Sequence, residues 1–294
     1  MLCMKSAFSP RFIWLCRYVF RSNLRRGQQR GLTPLTPAKP PRLTTLVRMS
    51  PHPPPPRVRD LLTSYFWSGE ALRSRSVSDV VLCGRVDVPA PPARLLADWE
   101  REIASRLCLE PGDVEALPLP RACARWPDYG QCVQAVSDWT RSLGLREVLA
   151  ASDVALMACR GAPYHHDGAH YGGMAFCNLF LSEDRGLDLH FPATGLRIPL
   201  SRGTVVIFDT GQPHAVIERR SSGFQAADFP PGQDLSQIFL TWELPVENVD
   251  IGRALGIVFD TDPSTTLRLE DEQVWLNGAR ARVCPDSGRW CPAE

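Results

Sequence analysis

The chain has 294 residues, 44% hydrophobic and 22% charged, a balance that suits a globular body and excludes a chain with no core. Its formal charge of +1 hides an asymmetry: residues 1–48 carry ten Lys or Arg and no Asp or Glu, which leaves 23 basic and 32 acidic groups beyond them, a net of −9. A body this acidic lacks the basic footprint that nucleic acids require, so no nucleic-acid partner is expected for it.

Residues 1–57 read as a basic, Pro-rich leader without a fold of its own. Its apolar stretch, Phe12 to Phe20, is broken by Arg17 and is too short to span a bilayer, so no transmembrane segment is expected. Three readings fit it: an Arg-rich targeting segment, a basic arm, or sequence upstream of an alternative initiator at Met49, where the charge changes. Pro51 and Pro53 to Pro56 form an extended linker. Residues 58–150 are expected to be a mainly helical support region. Residues 59–67 have one apolar side and predict a helix. A strand is expected near Val80–Val86. Residues 92–108 open with Pro92 and place Leu95, Leu96, Trp99, Ile103 and Leu107 at helical spacing. Residues 131–144 repeat the pattern through Val133, Val136, Trp139 and Leu143.

From about residue 153 the period shortens. Strand-like runs lie at Val154–Cys159, Met174–Leu181, Leu187–Phe191, Leu196–Leu200, Thr204–Phe208, His214–Ile217 and Gln237–Leu244, separated by Gly, Pro and Asp. Short, evenly spaced strands predict an antiparallel sandwich or small barrel over residues 151–246. Residues 247–294 form an extension with a hairpin, where Asn277-Gly278 joins Val274–Leu276 to Ala279–Val283. The ten cysteines are scattered with no C-x-x-C pair, and several lie in apolar runs. Buried free thiols in a reducing compartment, hence the cytoplasm, are the expectation.

Five of the six histidines fall between residues 165 and 214. His165-His166-Asp167 is an H-x-D element, and His214 lies 47 positions past Asp167 in Gly211-Gln212-Pro213-His214. Alternate residues of a strand share a face, so His165 and Asp167 turn inward together while His166 turns away. His214 follows the strand Thr204–Phe208 and a tight turn, and it opens the next strand. Two imidazoles and one carboxylate on one side of a metal leave the other side open, the donor set of non-haem Fe(II) oxygenases. His165, Asp167 and His214 are therefore the candidate catalytic metal ligands.

The segment from His165 to Trp242 resembles the double-stranded β-helix core of 2-oxoglutarate/Fe(II)-dependent dioxygenases. The resemblance rests on His165-x-Asp167, Arg202-Gly203-Thr204 through Phe208, Gln212-Pro213-His214-Ala215-Val216, and the closing strand ending Leu240-Thr241-Trp242. It implies an α+β fold with a jelly-roll or cupin-like barrel, supporting N-terminal helices, Fe(II), 2-oxoglutarate as co-substrate, dioxygen, and hydroxylase-type oxidation of a small molecule or peptide. It also implies a cation about ten residues past the distal His, to pair with the co-substrate's second carboxylate. Here those positions are Phe224 and Gln225, and alignment on the closing strand puts Gln237 there. Arg219, Arg220 and Arg197 are the alternative cations, with Tyr164 and Asn178 as hydrogen-bonding groups. A lost charge-assisted pair weakens carboxylate binding, so iron is a firmer inference than its co-substrate.

Other readings stand beside this one. His166-Asp167-Gly168-Ala169-His170 has the spacing of a zinc-protease helix, but Gly168, Gly172 and Gly173 oppose a helix. His166 and His170 are expected at the rim, His190 in a sheet, and Asp209 as a turn former. A cupin-like metalloprotein without 2-oxoglutarate, or a non-catalytic barrel, would need no cation. If His165 and His214 titrate normally, activity should fall below about pH 6.

Overall fold

The computed structural model describes residues 61–293. The expectations for the basic leader, Met49 and the polyproline segment lie outside the described residues. The described chain is a mixed α and β structure built on antiparallel sheets. No helix in it is long and apolar enough to cross a membrane.

The described part of 59–67 does not form the expected helix. Leu62–Ser68 is strand β1, which turns at Gly69 into β2 (Ala71–Ser76). Tyr65, Phe66 and Trp67 favour a pleated surface. β1 pairs with β2 on one side and β13 (Gln273–Leu276) on the other, so two antiparallel neighbours override an apolar stripe less than three helical turns long. The support region is therefore mixed. It adds β3 (Val81–Arg85) and β4 (Val114–Leu117) to helices α1 (Ala93–Glu102), α2 (Leu119–Cys123) and α3 (Tyr129–Ser142). Helix α1 passes into a π turn over Ile103–Leu107, which stops at Cys108 in a left-handed conformation.

Eight strands follow: β5 (Val154–Cys159), β6 (Ala162–His165), β7 (Met174–Phe180), β8 (Leu187–Phe191), β9 (Leu196–Pro199), β10 (Thr204–Asp209), β11 (His214–Glu218) and β12 (Gln237–Pro245). They divide between two sheets. One has the order β3-β10-β7-β12-β5-β4, the other β6-β11-β8-β9. The chain thus crosses repeatedly from sheet to sheet. Helices α4 (Val249–Leu255) and α5 (Pro263–Thr266) lead to β13, and β14 (Ala279–Val283) and β15 (Trp290–Pro292) complete a third sheet in the order β15-β14-β13-β1-β2. Asn277 and Gly278 have φ of 52° and 81°, the left-handed pair that a two-residue hairpin turn demands.

The six-stranded sheet is buried on both faces, which is why its strands read as apolar runs. Leu156, Ala158, Cys177, Leu179, Val205, Ile207, Leu240 and Trp242 form one core with Leu95, Trp99, Val136 and Trp139 of the helices. The alternate residues point between the two sheets. There Phe208 of β10 packs on Phe191 of β8, with ring centroids 5.4 Å apart, and on His214 of β11 at 4.8 Å.

Gly203 fixes how β10 enters the sheet. Its φ is +85°, its carbonyl accepts from the Val86 amide at 2.8 Å, and a Cβ there would lie 2.2 Å from the Val86 carbonyl oxygen. G203A combines left-handed strain with a backbone clash. It should lower the unfolding free energy by about 2 kcal/mol or more in urea titrations, and an unchanged midpoint would refute this account of the turn.

Candidate metal centre

Strand register brings the two histidines together. His165, the last residue of β6, is the direct cross-strand partner of His214, the first of β11. Directly opposed residues of an antiparallel pair hold their side chains adjacent on one face, and the two imidazole centroids are 4.4 Å apart. Asp167 lies just past the end of β6. Its Oδ1 is 3.8 Å from His165 Nε2 and its Oδ2 is 3.6 Å from His214 Nε2. One donor atom from each of the three residues lies within 4.8 Å of the others.

Both rings are fixed in the same way. His165 Nδ1 is 2.8 Å from the Pro163 carbonyl and His214 Nδ1 is 3.0 Å from the Gln212 carbonyl. In each case the carbonyl two residues back accepts the Nδ1 proton, which leaves the Nε2 lone pair directed at the shared point, the tautomer a metal ligand needs. Asp167 and His214 are buried, whereas His165 is half-buried, so the cluster is approached from the His165 side.

The two loops that carry the ligands are tied to each other. The Asp167 amide donates to the Thr210 carbonyl at 2.8 Å. The Thr210 hydroxyl lies 2.6 Å from the Tyr171 carbonyl and 2.8 Å from that of Met174. Asp209 is a turn former, its Oδ1 accepting from the Gly211 amide at 2.8 Å, and it is also half of a fully buried ion pair. Arg75 donates to both Asp209 oxygens, at 2.6 and 2.7 Å, and its Nε donates to the Gly172 carbonyl at 2.7 Å. One guanidinium of β2 therefore clamps the H-x-D loop to the turn that precedes His214. Arg75 and Thr210 escaped the sequence reading. The short side-chain turn at Asp209-Thr210-Gly211 was a readable signal, but nothing local marks Arg75, 134 residues away from Asp209.

The proposed co-substrate residues are not brought together at this point. On β6, Tyr164 alternates with His165 and packs with Ala215 and Ile217 on the other face of the four-stranded sheet, where its hydroxyl meets His190 Nδ1 at 2.6 Å. Arg197 lies opposite His190 and donates to the carbonyls of Arg219 and Ser221. Arg219 pairs with Asp184 and Asp188. Arg220 is exposed. Asn178 and Gln237 do face the space between the sheets, where Asn178 Oδ1 accepts from the Thr241 hydroxyl. His170 is exposed, and the ring of His166 lies 4.9 Å from that of Trp290.

Burial, reinforced by His165, pushes the His214 imidazole down to about 3, and burial pushes His166 down to about 4. Burial also raises the Asp167 carboxyl. His214 therefore remains neutral far below the pH 6 that an ordinary imidazole implies.

Two predictions follow from these contacts. R75M leaves Asp209 buried without its partner, so it should cost about 3–5 kcal/mol of stability. R75M/D209L should recover part of that loss in the same urea titration, and equal losses in both would refute the pair's role. The second concerns the metal-free protein. Between roughly pH 4 and the ordinary imidazole value of 6.5, the unfolded chain binds protons at His166 and His214 that the folded chain refuses. Stability should rise with pH across that window, opposed only by the raised Asp167, and H166Q should flatten the slope. A wild-type slope of zero or of opposite sign would contradict it.

No family model matches the chain, and neither does any curated protein. Among solved structures it is similar to a viral collagen prolyl hydroxylase from Paramecium Bursaria Chlorella virus-1 (12% identity, TM-score 0.33, covering 55% of this chain and 89% of that one). It is also similar to the non-haem, alpha-ketoglutarate-dependent carbocyclase SnoK of nogalamycin biosynthesis (9% identity, TM-score 0.32, 64% and 87%). A third is the polyketide cyclase RemF from Streptomyces resistomycificus (16% identity, TM-score 0.22, 32% and 54%), of whose length the chain spans about half. Two of the similar structures are thus described as non-haem and alpha-ketoglutarate-dependent, and another is a hydroxylase in complex with 2-oxoglutarate. Likenesses at these scores carry no part of the argument that follows.

Proposed function

We propose that this protein is a mononuclear non-haem Fe(II) oxygenase that couples dioxygen and a 2-oxo acid to the oxidation of an organic substrate. The observation that carries the reading is the His165, Asp167 and His214 cluster, with both Nε2 lone pairs directed at one carboxylate. Two neutral imidazoles and one carboxylate are the facial donor set for Fe(II) with open positions. The strand order supports the architecture. β5, β7, β10 and β12 alternate in the chain with β6, β8, β9 and β11 between two facing sheets, as a double-stranded β-helix requires.

The residues present fit iron. His165, Asp167 and His214 would hold it, and the metal would supply the redox chemistry that activates dioxygen at the open positions. The protein's own part is geometric and dielectric. The Pro163 and Gln212 carbonyls fix the orientation and tautomer of the two imidazoles, and burial keeps His214 neutral. Arg75, through Asp209 and Gly172, holds the two ligand loops in register. Phe208 and Phe191 pack against His214 and exclude water from that side. A reducing compartment, the cytoplasm, suits the unpaired thiols of the described residues.

A second reading, a barrel metalloprotein that uses no 2-oxo acid, is favoured by the absence, among the described residues, of any expected cation between the sheets. Iron titration under anaerobic conditions, with nitric oxide as a spectroscopic probe, separates the possibilities. Wild-type protein should bind about one Fe(II), and H165A, D167A and H214A should each lose at least about tenfold in affinity. Fe(II)-dependent release of carbon dioxide from a 2-oxo acid supports the oxygenase. Iron binding without it supports the second reading, and unaltered iron binding in the three variants sinks the metal centre.

A further inference from the structure

The space between the sheets contains an amide with no partner among the described residues. Gln237, at the start of β12, is fully buried, and neither Oε1 nor Nε2 has a hydrogen-bond partner among the described residues. The alternation of β12 fixes its direction. Ile238, Leu240, Trp242 and Leu244 belong to the core against the helices, so Gln237, Phe239 and Thr241 point the other way, toward the four-stranded sheet. Phe239 packs on Phe180 of β7, with centroids 5.2 Å apart, and Thr241 bonds Asn178. Burying both ends of an amide unpaired costs on the order of 1–3 kcal/mol for each polar group, so the arrangement points to a ligand that satisfies them.

The charge of that ligand follows from what surrounds the amide. Lys5 and Lys39 are the chain's two lysines, so the described residues have none. Within the strands β5 to β12 themselves, Arg197 is the one Lys or Arg, and its guanidinium bonds the Arg219 and Ser221 carbonyls on the outer face. At the strand ends, Arg160 donates to the Phe229 and Pro230 carbonyls and Arg202 pairs with Glu183. A carboxylate placed beside Gln237 would be desolvated without a cation. The residues present therefore do not fit the second carboxylate of 2-oxoglutarate.

We infer that the ligand occupying this interior is a 2-oxo acid whose far end is a neutral group able to donate and accept, a primary carboxamide being the matched case, and that Gln237 reads that end. The inference rests on the metal reading above. It is tested on the full chain loaded with Fe(II) without oxygen, by following the iron-to-oxo-acid charge-transfer absorption as 2-oxoglutarate or its terminal monoamide, 2-oxoglutaramate, is added. The monoamide should bind at least about tenfold more tightly. Q237R should invert the order, and Q237M, which keeps volume and loses the amide, should remove the preference while leaving Fe(II) affinity unchanged. A dicarboxylate that binds wild-type protein as tightly as the monoamide overturns the inference, and if R160M abolishes that binding, Arg160 is the anchor instead. Binding of neither compound to iron-loaded protein overturns it too, while the metal centre stands. Failure to bind Fe(II) overturns both.

Discussion

The buried pair between Arg75 and Asp209 is the constraint on which the site depends. A bidentate guanidinium–carboxylate contact has one geometry, and here both side chains are wholly out of water. Neither charge tolerates the loss of the other at that depth, so the pair behaves as a rigid unit. Arg75 belongs to the β1-β2 layer, Asp209 to the end of β10, and the third contact of the guanidinium to the loop after Asp167. Three separate parts of the chain, two of them loops that carry cluster residues, are fixed at one point.

This explains an economy in the candidate metal centre. Neither histidine ring relies on a second carboxylate for orientation. Each uses the carbonyl two residues before it, available because β6 ends and β11 begins at those histidines. The backbone geometry that makes the turn also sets the tautomer. The Thr210 hydroxyl then joins the loop after Asp167 to the turn before His214. Local turns and one long-range ion pair together supply the preorganisation that a metal site requires.

The interior between the sheets has a different character from the helix-facing core. The helix side is continuous aliphatic and tryptophan packing. The inner side is ringed by Phe176, Phe180, Phe191, Phe208 and Phe239, with Asn178, Thr241 and Gln237 among its polar groups. Aromatic walls with a few placed polar groups are the usual lining of a small-molecule site.

The sequence by itself determined the parts governed by short-range periodicity. The strand runs from Val154 to Leu244, the helices around Trp99 and Trp139, the Asn277-Gly278 hairpin and the His165, Asp167 and His214 spacing were all readable, because alternation, helical spacing and turn residues are local. The stretch at 59–67 was misread because a short aromatic run satisfies both periods, and only pairing with β2 and β13 chooses between them. Tertiary structure alone decided that Arg75 holds the ligand loops, that Tyr164, Arg197 and Arg219 face away from the cluster, and that Gln237 is buried unpaired. Each of these depends on contacts between residues far apart in the chain or on which face of a strand meets which layer, and neither is encoded in the spacing of neighbouring residues.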